Sequence, residues 1–204
     1  MPKLYYKYGA MGSSKTAQAL MCKFNYEQKG FNVNLFKPVA DNRKVVDGKA
    51  VVSSRIGLSS ECLEFDHDFN FIDFCVKNKF VEKNDVIIID ECQFLTEKQV
   101  DQLKVLTKFV PVLCYGLLTN YKTKLFEGSK RLVEIADSMM EIKSVCACGK
   151  KATVNARIVD GKIVLSGDEV LIGGDESYQG MCFDCFMKQL QQQSQEEDAE
   201  KANQ

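Results

Sequence analysis

The chain has 204 residues, of which 45% are hydrophobic, and a formal net charge of −1 at pH 7. This length suits one large domain, or one medium domain with a small appendage. The near-neutral charge argues against a nucleic-acid-binding surface, and no apolar run is long enough for a membrane span or a secretory signal, so we expect a cytoplasmic protein.

The first predicted elements surround a phosphate-binding pattern. A Tyr-rich strand over 3–8 leads into GAMGSSKT (9–16), and a helix follows as far as Gly30. Ser14 occupies the place of the second glycine in the usual pattern. A phosphate loop needs a strand before it and a helix after it, because backbone N–H groups and the helix N-terminus bind the anion. We therefore interpret the stretch as a nucleotide site; a Gly/Ser-rich turn with an ordinary helix cap is the alternative.

Three residues of this loop carry specific expectations. Lys15 is expected to bind the β- and γ-phosphates, and Thr16 to bind Mg²⁺. Ser14 either adopts a left-handed conformation, which costs about 1–2 kcal/mol, or the loop avoids that geometry by using Gly12.

Strands and helices continue to alternate beyond the loop. The predicted elements are a strand at 32–37, a long polar loop at 41–60, a helix at 69–80, a strand at 85–91, a helix at 97–109, a strand at 110–117, a helix around 125–136 and a strand at 139–145. This alternation predicts an α/β domain with a parallel sheet over 1–145.

Two acids end the apolar run DVIIIDE (85–91), which is typical of a strand buried on both faces. Asp90 is placed to hold a metal ion beside the phosphate loop. Glu91 would point to the other side of the strand and serve as a general base; alternatively it only orders a loop or a water. His67, the single histidine, lies among acidic residues and is expected on the surface, which excludes most histidine-based catalysis.

The nine cysteines fall into two groups. Five are scattered in apolar contexts and are expected to be small core residues. The pairs Cys146/Cys148 and Cys182/Cys185 bracket an alternating segment with a DG turn, which predicts a β module over 146–190 held by a structural Cys₄ zinc site. Two incidental pairs are the alternative. Residues 191–204 lack large apolar side chains and are expected to form a disordered tail.

Together the motifs resemble the type II thymidine kinases, the cytosolic zinc-containing class, over residues 3–188. The matching segments are 9–16, DNR (41–43), SSRIGLSS (53–60), IDECQFL (89–95), YGLLTNYKTKLFEGS (115–129), VLIGGDESYQGMC (170–182) and the cysteine pairs. The resemblance implies a RecA-like P-loop domain and a zinc-binding β module that carries a lasso loop over 166–178. It also implies a reaction in which ATP and thymidine give dTMP and ADP.

The resemblance assigns residues to each part of this reaction. The ATP and Mg²⁺ site would comprise Gly9, Ala10, Met11, Gly12, Ser13, Ser14, Lys15, Thr16, Asp41, Arg43 and Asp90. Glu91 would be the catalytic base. The substrate site would comprise Met11, Phe94, Leu117, Arg157, Leu171, Gly173 and Tyr178. A homotetramer and feedback inhibition by dTTP are also implied.

Two alternatives to this function stay open at the level of sequence. A zinc-ribbon ATPase that binds nucleic acid would need a basic stripe, whereas residues 166–176 are acidic. A kinase that acts on another deoxynucleoside or on a nucleotide would keep every motif named above.

Overall fold

A six-stranded parallel sheet forms the centre of the computed structural model, which describes residues 2–41, 45–46, 48–167 and 177–202. Its strands are β1 (Leu4–Tyr8), β2 (Asn32–Pro38), β6 (Leu63–Phe65), β7 (Asp85–Ile89), β8 (Val112–Gly116) and β9 (Ser138–Glu141). Their spatial order is β6-β2-β7-β8-β1-β9, and each neighbouring pair is parallel. The predicted α/β class with a parallel sheet is confirmed.

Helices cover both faces of this sheet. They are α1 (Lys15–Glu27), α2 (Phe71–Lys77), α3 (Glu97–Leu106) and α4 (Glu127–Ile135), whereas α5 (Phe183–Ala202) packs in the cysteine-rich part of the chain. The apolar run of β7 is continuous because both faces of this strand are buried. Ile87 and Ile89 pack into the core beneath α2, α3 and α4, whereas Val86 and Ile88 pack into the core beneath α1.

The segment 41–60 differs from the predicted loop. Strands β3 (Val45–Val46), β4 (Lys49–Ser53) and β5 (Ser59–Glu61) form an antiparallel sheet. The prediction of a long irregular loop is wrong because Val52 is buried in the core beneath α1. The buried Lys37 also donates a hydrogen bond from Nζ to the carbonyl of Val51 at 3.2 Å.

A second antiparallel sheet lies within the cysteine-rich part of the chain. Its strands are β10 (Val154–Val159), β11 (Lys162–Ile163) and β12 (Tyr178–Met181), in the order β11-β10-β12. The predicted DG turn joins β10 to β11, with positive φ at Asp160 and Gly161. This sheet has a separate small core, which includes Cys146 and Cys182. We call these three strands with the four paired cysteines the cysteine module.

Helix α5 replaces the predicted disordered tail over 191–202. Gln, Glu, Ala and Lys are strong helix formers, so a helix can continue without apolar residues. Gln193 also anchors the helix to β11, because its Oε1 accepts a hydrogen bond from the Ile163 N–H at 3.1 Å. Residues 203–204 lie outside the described part of the chain. None of the described helices combines the length and apolar character that a bilayer span requires.

Candidate active site

The phosphate-binding pattern forms a turn between β1 and α1. Gly12 and Ser14 both adopt left-handed conformations, with φ of 76° and 62°. The chain therefore does not use Gly12 instead of Ser14, because both positions take the same geometry. No described side chain caps α1, whereas Asn70 caps α2 and Thr96 caps α3. The first turn of α1 is thus open to an anion.

Lys15 lies inside the concave side of this loop. Its Nζ donates to the carbonyl oxygens of Gly9 and Ala10 at 3.1 and 2.9 Å. Burial lowers the pKa of the ammonium group, and the charges of Glu91 and Asp90 oppose that shift. A bound phosphate would supply the counter-charge that the loop carbonyls only partly provide.

Asp90 is 2% exposed and follows the last residue of β7. Its Oδ1 accepts a hydrogen bond from the Thr16 hydroxyl at 3.4 Å, and its buried Oδ2 has no hydrogen-bond partner among the described residues. Burial, assisted by the charge of Glu91, raises the pKa of Asp90 to about 7. A carboxylate with an unpartnered buried oxygen beside a hydroxyl fits the oxygen ligands that Mg²⁺ prefers.

The side chains of Glu91 and Asp90 point in different directions because the chain turns at Glu91, not because the two residues alternate along a strand. Strand β7 ends at Ile89, and Glu91 has a left-handed φ of 51°. The expectation that Asp90 and Glu91 are both strand residues is therefore wrong, since β7 ends before them. The outcome is similar, because Glu91 lines the open cavity while Asp90 is buried behind it.

Gln93 is a site residue that the sequence analysis missed. It is 3% exposed, and its Nε2 donates to Glu91 Oε2 at 2.6 Å. Its Oε1 accepts a hydrogen bond from the Leu117 N–H at 3.0 Å. One amide thus holds the proposed base and the start of the loop after β8. A glutamine inside an otherwise apolar segment was the available signal.

The phosphate loop, Glu91 and Leu117 all line one cavity of about 520 Å³. The described residues that line it are Met11, Gly12, Ser13, Ser14, Lys15, Thr16, Ala17, Asp41, Val51, Ser53, Ser54, Arg55, Ile56, Gly57, Glu91 and Leu117. The hairpin of β4 and β5 therefore forms one wall, and Arg55 was not predicted to belong to the site. The lining does not include Phe94, whose ring packs on Phe126 at 6.1 Å between centroids.

The remaining predicted residues of the ATP and substrate sites lie beside Tyr121 or outside the described residues. The guanidinium carbon of Arg157 is 5.4 Å from the centre of the Tyr121 ring, and the rings of Tyr121 and Tyr178 are 6.5 Å apart. Arg157 Nε and Nη1 are buried without a hydrogen-bond partner among the described residues. Arg43, Leu171 and Gly173 lie outside the described residues.

The four paired cysteines come together as one cluster. The sulfur atoms of Cys146, Cys148, Cys182 and Cys185 all lie within 4.8 Å of one another. Backbone hydrogen bonds from Cys148 and Cys182 lower the pKa of Cys146 to about 6, while side-chain hydrogen bonds within the cluster raise that of Cys185 to about 12. Such a cluster could hold a metal ion, because a cation would stabilise all four sulfurs as thiolates.

The other predicted positions are mostly confirmed. Of the scattered cysteines, Cys75, Cys92 and Cys114 are buried, whereas Cys22 and Cys62 are only half-buried. The side chain of His67 is 83% exposed, as expected for a surface histidine.

The chain is similar to known proteins over most of its length. A family model described as thymidine kinase matches residues 2–186. A thymidine kinase of Aliivibrio fischeri is 42% identical over 185 residues, which cover 89% of this chain and 95% of the relative. One of Rhodopirellula baltica is 36% identical over 200 residues, which cover 97% and 93%. One of Streptococcus pyogenes serotype M3 is 42% identical over 185 residues, which cover 89% and 95%. The chain therefore belongs to the thymidine kinase family.

Proposed function

We propose that the protein transfers the γ-phosphate of ATP to the 5′-hydroxyl of thymidine, giving dTMP and ADP. One observation carries this proposal: a single cavity is lined by the phosphate loop, by the carboxylate of Glu91 and by the apolar side chains of Met11 and Leu117. Phosphoryl transfer needs positioning and charge stabilisation more than covalent chemistry. The cavity supplies an anion site, a proton acceptor and an apolar wall for a base.

The phosphate half of the cavity would bind ATP. The open N-terminus of α1 and the Lys15 ammonium would bind the phosphates. Thr16 and Asp90 would hold Mg²⁺, which when bound neutralises developing charge on the phosphate oxygens. Asp41, which lines the cavity, would act through water on the same ion, and Arg43 would lie near the transferred group.

Glu91 would accept the proton of the thymidine 5′-hydroxyl on a carboxylate oxygen. Its Oε2 is already oriented by Gln93, and its place on the cavity wall lets the nucleoside approach it. Removal of the proton as the hydroxyl attacks makes the oxygen a stronger nucleophile.

The nucleoside half would hold thymine between Met11 and Leu117, with Phe94 as a further apolar residue of the pocket and Tyr178 closing over the base. Backbone groups of Leu171 and Gly173 would read the thymine edge, and Arg157 would lie near the phosphate-transfer region. The unpartnered buried nitrogens of Arg157 support a polar ligand in this neighbourhood.

The wider assignments are also proposals. The cysteine cluster would hold structural zinc. None of the nine cysteines, all of them described, forms a disulfide bond, which suits a reducing compartment and supports a cytoplasmic location. A homotetramer and inhibition by dTTP at the thymidine site follow the resemblance to type II enzymes. A nucleic-acid-binding ATPase is disfavoured by the net charge of −1.

A panel of nucleosides and nucleotides with labelled ATP tests this function. Phosphorylation of thymidine, with kcat/KM above that for deoxycytidine, deoxyuridine and dTMP, supports it. Transfer to another member of the panel at higher kcat/KM would change the substrate and keep the kinase. Absence of transfer to every nucleoside would reject the function.

Replacing Ser14 with glycine should leave the enzyme active, with an equal or lower KM for ATP. Ser14 has a φ of 62°, a conformation that costs a residue with a Cβ about 1–2 kcal/mol. Glycine removes that strain, whereas Ser14→Ala keeps the strain and removes only the hydroxyl. Steady-state kinetics compare the variants. Loss of turnover in both would show that the hydroxyl has a chemical role and that our interpretation of Ser14 is wrong.

Mg²⁺ activation should weaken as pH falls below about 7, the pKa to which Asp90 is raised. The protonated carboxyl cannot bind the cation, so apparent Mg²⁺ affinity should fall about tenfold per pH unit below that value and level off above it. Because ATP also titrates in this range, Asp90→Asn is the reference. It should need more Mg²⁺ than wild type above pH 7, approach wild type as the pH falls, and lose the part of the pH dependence that Asp90 causes. Parallel pH profiles of the two proteins would contradict the assignment.

A further inference from the structure

Two paired residues of the cysteine module contact the phosphate loop at Met11. Asn155 on β10 and Gly180 on β12 are direct partners in the antiparallel register. Partners in a ladder present their side-chain positions to the same face of the sheet. Both residues contact Met11 of the phosphate loop, so this face of the module packs against the loop.

Asn155 is 3% exposed and joins two segments that are distant in sequence. Its Oδ1 accepts a hydrogen bond from the Met11 N–H at 2.8 Å, and its Nδ2 donates one to the Thr119 carbonyl at 2.8 Å. A backbone N–H can only donate and a carbonyl can only accept, so the two partners fix the orientation of the amide. The contacts depend on where the backbone lies and not on which side chains it carries.

Gly180 brings the second strand equally close. A Cβ at this position would lie 2.8 Å from the Met11 carbonyl oxygen. The module therefore contacts both backbone groups of Met11. The Asn155 side chain on β10 binds the N–H, and Gly180 on β12 lets the backbone approach the carbonyl because it has no side chain.

The two segments that Asn155 joins both contribute residues to the cavity wall. Met11 and Leu117 both line it, and Leu117 lies two residues before Thr119. The loop after β8 is also held at Leu117, whose N–H donates to Gln93. The hydrogen bonds of Asn155 thus couple the phosphate loop to the loop after β8, which carries Leu117.

We propose that Asn155 is a positioning residue that ties the cysteine module to the phosphate loop and to the loop after β8, so that the module sets the geometry of ATP binding as well as that of the nucleoside. The inference rests on the proposed function only in naming the two ligands. It predicts that substitution of Asn155 lowers the affinity for ATP, although Asn155 lies outside the phosphate loop.

Two substitutions of Asn155 and one control variant begin the test of this role. Asn155→Leu has a similar size and removes both hydrogen bonds. Asn155→Asp keeps an acceptor for Met11 but places a carboxylate oxygen against the Thr119 carbonyl. Gln179→Ala is the matched control, because Gln179 is exposed on the same strand as Gly180 and lies on its other face.

We expect Asn155→Leu to weaken binding of a fluorescent ATP analogue and to raise the KM for thymidine, each by about tenfold, as loss of a buried hydrogen bond implies. Asn155→Asp should retain near-normal ATP-analogue affinity and show the thymidine defect alone. Gln179→Ala should match wild type. Gly180→Ala, which shifts Met11 and leaves both hydrogen-bonding groups in the chain, should impair ATP-analogue binding and serves if Asn155→Leu fails to fold.

Unchanged ATP-analogue affinity in both Asn155→Leu and Gly180→Ala would overturn the proposal, even if the melting temperature fell, because the role would then be structural only. A defect in thymidine KM alone in Asn155→Leu would also overturn it. The binding measurement needs no turnover, so a wild-type protein that fails to phosphorylate thymidine would reject the proposed function without deciding this inference.

Discussion

Replacing Glu91 with glutamine is expected to lower kcat by about 10²–10⁴-fold, while ATP and thymidine still bind with similar affinity. Glutamine keeps the shape of the side chain and can still accept the hydrogen bond from Gln93 Nε2, which is 2.6 Å from Glu91 Oε2. It cannot take the proton of the 5′-hydroxyl. The loss should therefore appear in the chemical step, measured by single-turnover kinetics with binding followed separately.

Asp90→Asn is the matched comparison, because it changes the neighbouring acid in the same way. Its defect should depend on the Mg²⁺ concentration, since Asp90 is the buried acid beside Thr16. Near-normal turnover in Glu91→Gln, or full rescue of that variant by added Mg²⁺, would show that the roles of the two acids are wrong.

Removing the proposed zinc from the cysteine cluster is expected to unfold the cysteine module and abolish thymidine phosphorylation. Structural zinc contributes about 10–16 kcal/mol in zinc-finger peptides, more than a small module can replace from its own core. Cys182 directly follows β12, so its release should also free the strand that carries Tyr178. Chelation, followed by circular dichroism and activity, measures both effects.

Metal analysis and a cysteine control complete this test. The freshly purified protein should hold one zinc per chain, and Cys182→Ser should lose it. Cys62→Ser is the control, since Cys62 is a half-buried thiol outside the cluster. Full activity in metal-free protein would remove the zinc proposal.

Sequence patterns predict those parts of the structure whose conformation is determined by neighbouring residues in the chain. The apolar run before Asp90 marks a strand buried on both faces, and β7 is such a strand. The DG turn at 160–161 predicts a hairpin because that geometry suits glycine. The phosphate loop and the cysteine pairs are recognised in the same way, since their spacing itself carries the chemistry.

Contacts between distant segments explain what the sequence analysis missed. Asn155 meets Met11 across 144 positions of sequence, and nothing near either residue indicates the partner. The β4–β5 hairpin looked irregular because its burial depends on a core assembled elsewhere. The left-handed conformation of Glu91 was likewise hidden, because adjacent acids after a strand read as a continuation of that strand.

The sheet order also dictates when the phosphate loop can form during synthesis. Strand β1 begins at Leu4, yet its partners are β8 and β9. Leu4 therefore cannot pair until Val112 has been synthesised, and Tyr5 cannot complete its pairing until Ser138 has been synthesised. Such high contact order slows folding and leaves early strands without neighbours. A growing chain that has not reached β8 carries the entire phosphate-binding pattern on an unpaired strand, which is exposed to aggregation. Nucleotide binding is thus a late property of the nascent chain, and chaperone protection of its first residues is most needed before β8 leaves the ribosome.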